Sequence, residues 1–291
     1  ALQMCTLNAA CHFGMERDLG AIAPGRRADV ILTSSLVDLP VETVIARGQV
    51  VAEGGAMLAP RPDFAYPESA KNTVNMARDL TADDFAIRAP QGAETVRARV
   101  IGVVENQAPT RALELTLPVT GGLVTGDPAQ DACQIALVER HRAVAPEDGG
   151  VVNAFVAGFG YDVDCAVAST VAHDSHHMIV VGTSRADMAL AANRLSEVGG
   201  GVTVFKDGVE QALIPLPVAG LMSDAPAEHV AAQADRMVAA MRDCGCRLNN
   251  AYMQHSLLAL VVIPALRISD QGLVDVTRFA KVDVLMDAAD S

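Results

Sequence analysis

The chain has 291 residues, 51% of them hydrophobic, and a net charge of −13. That charge argues against a nucleic-acid or anionic-membrane surface, and no apolar run approaches the roughly 20 residues that span a bilayer. Length alone suggests about two domains. Cys5, Cys11, Cys133, Cys165, Cys244 and Cys246 are scattered. Cys244 and Cys246 form a CxC, not the CxxC of redox or zinc sites, so free thiols in a cytoplasmic protein are expected. The first residues read as a helix from Ala1 that Gly14 closes. So short an apolar helix needs a partner and reads as part of a larger domain.

Pro24-Gly25 fits the centre of a type II turn. Strands are predicted over 29–33, 41–45 and 49–52, with Arg47-Gly48 between the last two and Gly54-Gly55 closing them. The string from Leu19 to Leu32, LGAIAPGRRADVIL, resembles the end of amidohydrolase-superfamily enzymes. In that family the last helix of a (β/α)8 barrel leads through a GxIxPGxxADxV turn into a small β-sandwich. The resemblance implies that residues 1–18 are the last barrel helix and residues 19–59 a sandwich segment.

Residues 60–92 read as a connector broken by Pro60, Pro62 and Pro67, with Thr81 to Asp84 capping a short turn. Strands over 94–104, 111–119 and 133–139 then open a second domain as an antiparallel sheet, with turns at Gly121-Gly122 and Asp127-Pro128. Residues 151–159 are apolar, and their period does not distinguish strand from helix. In VDCAVASTVAHDSHHMIVVG (163–182), two apolar runs flank the polar knot His173-Asp174-Ser175-His176-His177. The runs read as buried strands.

Ser184 caps a helix whose Met188, Ala191, Ala192, Leu195 and Val198 share one face. Gly199 to Gly201 end it. Asp207-Gly208 joins a strand hairpin over 202–214. This order of strand, helix and hairpin indicates an α/β layer. Asp224 reads as the cap of a following helix, with Pro226 in its first turn. Its predicted stripe is Val230, Ala234, Met237, Val238 and Met241, and its stop is Gly245. Residues 257–263 are apolar up to Pro264, and 270–276 precede a short last element.

His173, Asp174 and His176 are able to move protons or bind a divalent metal. In an extended chain Asp174 and His176 would share a face. A structural loop whose polar groups cap strand ends explains the same residues. The ligand spacings HExxH, HxE and PCxxC are absent from the sequence. His12, His141, His229 and His255 are isolated and read as surface or core residues.

Four strings occur in order: ASTVAHDSHHMIVVG at 168–182, GGG at 199–201, LPVAGLMSD at 216–224 and GLVDV at 272–276. Together they resemble the C-terminal domain of bacterial adenine deaminases, which implies an α/β sandwich domain over 93–291. That family hydrolyses adenine to hypoxanthine and ammonia in purine salvage. A dinuclear manganese or iron centre in an N-terminal barrel supplies the hydroxide. The fold expected is therefore mixed α/β: barrel tail, partial β-sandwich and C-terminal α/β sandwich. The implied partners are adenine, the N-terminal barrel portion of the same enzyme and further copies in a homodimer or larger homo-oligomer. No metal ligand is assigned here, and none is expected to be bound by this chain alone. His173, Asp174 and His176 are the candidate catalytic residues at the site mouth, and Ser175 and His177 the candidate substrate contacts. Two rival readings stand beside this one. One is a non-catalytic oligomerisation or regulatory module. The other is an independent hydrolase built on His173, Asp174 and His176.

Overall fold

The computed structural model describes residues 1–60 and 64–286; Pro62 and the last residues of the 93–291 segment fall outside them. The chain divides into two compact units, residues 1–65 and 66–291.

The first unit holds α1 (Leu2–Cys5), α2 (Leu7–His12), β1 (Val30–Leu32), β2 (Thr43–Ala46), β3 (Gln49–Glu53) and β4 (Ala56–Met57). The expected single helix is broken at Thr6, whose Oγ1 donates to Leu2 O at 2.7 Å. A hydroxyl turned back on the preceding turn competes with the helical ladder. Arg26 N donates to Ala23 O, closing the Pro24-Gly25 turn. β1 to β4 form an antiparallel sheet in sequence order. Among the described residues of this unit only Ala10 is buried, while Ile22 is 87% and Val37 90% exposed.

The second unit is built on β5 (Thr95–Gly102), β6 (Arg111–Thr120), β7 (Leu123–Val124), β8 (Ala132–Val138), β9 (Val151–Ala157), β10 (Cys165–Ser169), β11 (Met178–Gly182), β12 (Gly201–Lys206) and β13 (Val209–Pro215). They form one sheet in the order β13-β12-β10-β11-β8-β9-β5-β6-β7. Every neighbouring pair is antiparallel except β5 and β9. The strands expected over 94–104, 111–119 and 133–139 lie in the same sheet as the central strands and the hairpin. The undecided 151–159 run is a strand.

Helix α3 (Arg185–Glu197) covers one face of this sheet, and α4 (Ala227–Asp243) with α5 (Ala251–Leu257) covers the other. Alternate residues explain the two-sided cover. Val167, Ile179 and Val181 face the α4–α5 side, while Ala166, Ala168, Met178 and Val180 face α3. With both faces buried, β10 and β11 need continuous apolar runs. A small antiparallel sheet of β14 (Leu266–Ser269), β15 (Gly272–Asp275) and β16 (Ala280–Val282) completes the unit.

Local signals held where hydrogen bonding is local. Asp187 N donates to Ser184 Oγ at the start of α3. Thr81 and Asp84 form a reciprocal capping box. Asp207 and Gly208 take positive φ of 51° and 78° in the hairpin turn. The α4 region differs. Pro226 precedes the helix, and Asp224 lies 3.8 Å from Lys71 Nζ instead of capping. Its buried positions are Met237, Ala240 and Met241, while Ala234 is exposed and Val238 is 43% exposed. Only the C-terminal part of α4 meets the sheet, so the five-residue stripe was too long. Cys244 caps its end and Gly245 follows at φ 98°.

Candidate functional site

β10 and β11 are joined by residues 170–177, beside the polar end of β8. Register fixes this neighbourhood, because Met178 pairs with Val138. His177 and Glu139 therefore leave their strands side by side.

The loop is held mainly through its backbone. Thr170 Oγ1 donates to Gly220 O at 2.6 Å and accepts from Gly201 N at 2.8 Å. His173 N donates to Ser256 O at 3.1 Å, and His176 N to Ala172 O at 2.7 Å. The second bond closes a turn in which His176 takes a φ of 51°, a left-handed conformation that His tolerates better than most residues. His141 Nε2 donates to Ser175 O at 3.0 Å, since a carbonyl only accepts.

The central fastener is Arg140, 1% exposed. Nε donates to His176 O at 2.6 Å, Nη1 to Thr73 O at 3.2 Å and Nη2 to Ala219 O at 3.2 Å. Three separate segments meet on one guanidinium. Burial lowers its pKa to about 10, against the pull of Glu139, so it remains cationic at neutral pH. Gly220 is required beside it: a Cβ there would lie 2.7 Å from Arg140 Nη1, and its φ is +69°.

This arrangement leaves Asp174 and Ser175 exposed and His173 and His176 half-buried. The expected convergence of Asp174 and His176 on one extended face does not occur, because residues 172–176 form a turn. The rings brought together are His173 and His176, with centroids 5.4 Å apart at 74°. Burial first, then His173 and Arg140, lower the His176 pKa, and Asp174 opposes them. The buried Nδ1 of His176 has no hydrogen-bond partner among the described residues. His177 lies beneath the loop, 6% exposed. Among the described residues no three His, Cys, Asp or Glu side chains form a metal-ligand set.

Sequence reading passes over Glu139, Arg140 and Asp270 and takes His141 for an isolated residue, whereas its ring lies 4.9 Å from that of His177. The available signal was Glu139-Arg140-His141 itself, three polar residues at the end of the apolar run Ile135 to Val138. Glu139 accepts from the backbone N–H groups of His141, Arg142 and Val144. Burial would raise its pKa, but those donors and His177 bring it below the ordinary value.

His255 is fully buried behind β10. Its Nε2 donates to Val167 O at 3.2 Å, and its Nδ1 has no partner among the described residues. Burial lowers its pKa from 6.5 to about 4, opposed by the Val167 bond. The folded state therefore resists a proton that the unfolded chain accepts. Stability from this group is complete above pH 6.5 and is lost as pH falls toward 4, by about 3 kcal/mol in all. Urea midpoints between pH 7 and pH 4 are expected to fall less in His255→Gln than in the wild type. Parallel losses in the two proteins would contradict this.

Residues 107–280 match the adenine deaminase C-terminal domain family. The chain belongs to that family. Residues 1–51 also match the amidohydrolase family. An adenine deaminase of Roseobacter denitrificans is 67% identical over 98% of this chain and 46% of its own length. One of Ruegeria pomeroyi is 66% identical over 98% of the chain and 47% of its own. One of Moorella thermoacetica is 44% identical over the same shares. The chain thus spans about half the length of these relatives. Every residue of the loop site, from Glu139 to Asp270, lies inside the segment matching the C-terminal domain family.

Proposed function

We propose that this chain is the C-terminal portion of an adenine deaminase that hydrolyses adenine to hypoxanthine and ammonia. The observation that carries this reading is the match of residues 107–280 to the adenine deaminase C-terminal domain family. In the proposal, residues 1–18 end a (β/α)8 barrel, 19–59 belong to a β-sandwich, 60–92 connect and 93–291 form the C-terminal domain. The complete enzyme works as a cytoplasmic homo-oligomer. The rest of the relatives' length supplies the barrel. The exposed apolar side chains of residues 1–65, with Ala10 alone buried among those described, support a missing partner surface.

The family is metal-dependent, and manganese or iron in a dinuclear centre is the cofactor we assign to the complete enzyme. In this proposal the ligands of that centre belong to the barrel. What falls to this chain is the rim of the site. Asp174 and Ser175 are exposed on a loop whose backbone is pinned. His173 and His176 are half-buried beside them, with the His176 Nδ1 turned inward and without a hydrogen-bond partner among the described residues. Imidazoles beside a carboxylate are equipped to accept a proton and return it to a departing amine. His173, Asp174 and His176 are the proposed catalytic group, and Ser175 a substrate contact.

The test is product analysis with the full-length protein loaded with manganese or iron. Equal amounts of hypoxanthine and ammonia should appear as adenine is consumed. A folded, metal-loaded enzyme that leaves adenine intact would overturn the reading.

A further inference from the structure

His177 sits between two carboxylates that it does not reach. Its Nδ1 lies 3.8 Å from Glu139 Oε1, and its Nε2 lies 3.9 Å from Asp270 Oδ2. Nδ1 has no hydrogen-bond partner among the described residues. The two carboxylates belong to different elements: Glu139 follows β8, and Asp270 lies in the turn between β14 and β15. The other charged or titratable neighbours are His141, with ring centroids 4.9 Å apart, and Arg140.

A neutral imidazole has one N–H and one lone pair, whereas carboxylates only accept. It can therefore serve one of these two oxygens and must turn a lone pair to the other. A protonated ring has two N–H groups, one for each. Charge-assisted N–H···O bonds are about 2.7–2.9 Å long, so a closure of roughly 1 Å on each side completes both. We infer that His177 is a positioning residue: a proton on its ring draws Glu139 and the Asp270 turn together and fixes the base of the 173–177 loop.

This role replaces direct substrate contact for His177, whose side chain lies under the loop. It stands on the geometry of the cluster and does not depend on adenine being the substrate. Burial first, then His141 and Arg140, disfavour the charged ring, while Asp270 and Glu139 favour it, and the balance lies below the ordinary histidine value. The fastened state therefore appears only as pH falls below the ordinary histidine range, and the loop base is looser at pH 8.

Hydrogen exchange on the full-length protein tests this without any turnover measurement. Protection over 171–178 and 268–273, corrected for the intrinsic rate, should rise about tenfold between pH 8 and pH 5, the effect of one added charge-assisted bond. Asp270→Asn should abolish the rise. Asp270 is a turn residue with a partly exposed side chain, so this variant folds even if His177→Gln does not. A flat wild-type profile overturns the inference, and so does a rise of wild-type size in Asp270→Asn.

Discussion

Asp174→Asn and His173→Ala are expected to lower kcat/KM for adenine by about 10²–10⁴-fold in the full-length enzyme, with little change in the unfolding midpoint. The expectation rests on what holds the loop. His173 is tied through its N–H, Ser175 and His176 through their carbonyls, and none of these bonds uses the Asp174 carboxylate or the His173 ring. Asp174 is exposed and has no hydrogen bond or ion pair among the described residues. Truncating it strands no buried partner, so the change in stability should stay within about 0.5 kcal/mol. A turn needing only backbone anchors does not require three ionisable side chains. The chain does build a simpler one at Asp207-Gly208. Placing a carboxylate and two imidazoles on a pinned, outward-facing loop instead suits a role in proton transfer or substrate orientation. Measuring kcat/KM beside a denaturation midpoint for each variant separates the possibilities. Near-normal kcat/KM with a clearly lowered midpoint would make the loop structural.

The candidate site was only half legible in the sequence. The His173–His177 knot stands out because apolar runs flank it and its residues are contiguous. The opposite wall is not contiguous. His141 looks isolated until β8 is placed beside β11, and Asp270 is 93 residues from His177 in the chain. Sheet order is a long-range property, and no local period records that β10 lies between β12 and β11. The same limit explains α4. Helical spacing marks which residues share a face, but burial of that face depends on where the sheet ends beneath it. By contrast, the Ser184 cap, the Thr81–Asp84 box and the Asp207-Gly208 turn were readable because their partners lie within three residues. Helix α5 (Ala251–Leu257) has no counterpart in the sequence reading: it is only seven residues long, too short for helical spacing to stand out, although Asn250 precedes it.

Arg140→Met is expected to cost about 2–4 kcal/mol and to lower turnover through the loop. The methionine replaces the buried stem but none of the donors. Thr73 O, His176 O and Ala219 O each lose an N–H from a residue only 1% exposed. A buried acceptor left without a donor costs about 1–3 kcal/mol. Against that loss stands the energy recovered by no longer burying a cation. Burial of the guanidinium, which lowers its pKa to about 10, is costly in itself, so the net effect should stay below the sum of three bonds. Arg140→Lys separates charge from geometry. It keeps the cation, but a single ammonium cannot reproduce a fork that reaches three segments, so its midpoint should lie nearer Met than wild type. Gly220→Ala attacks the same contact from the other side, since its Cβ would press on Nη1 at 2.7 Å. If Arg140 works by gathering three segments, both substitutions should loosen residues 171–177 in hydrogen exchange. A Met variant with a wild-type midpoint and an unchanged loop would show that those carbonyls find other donors and that the guanidinium is not the fastener.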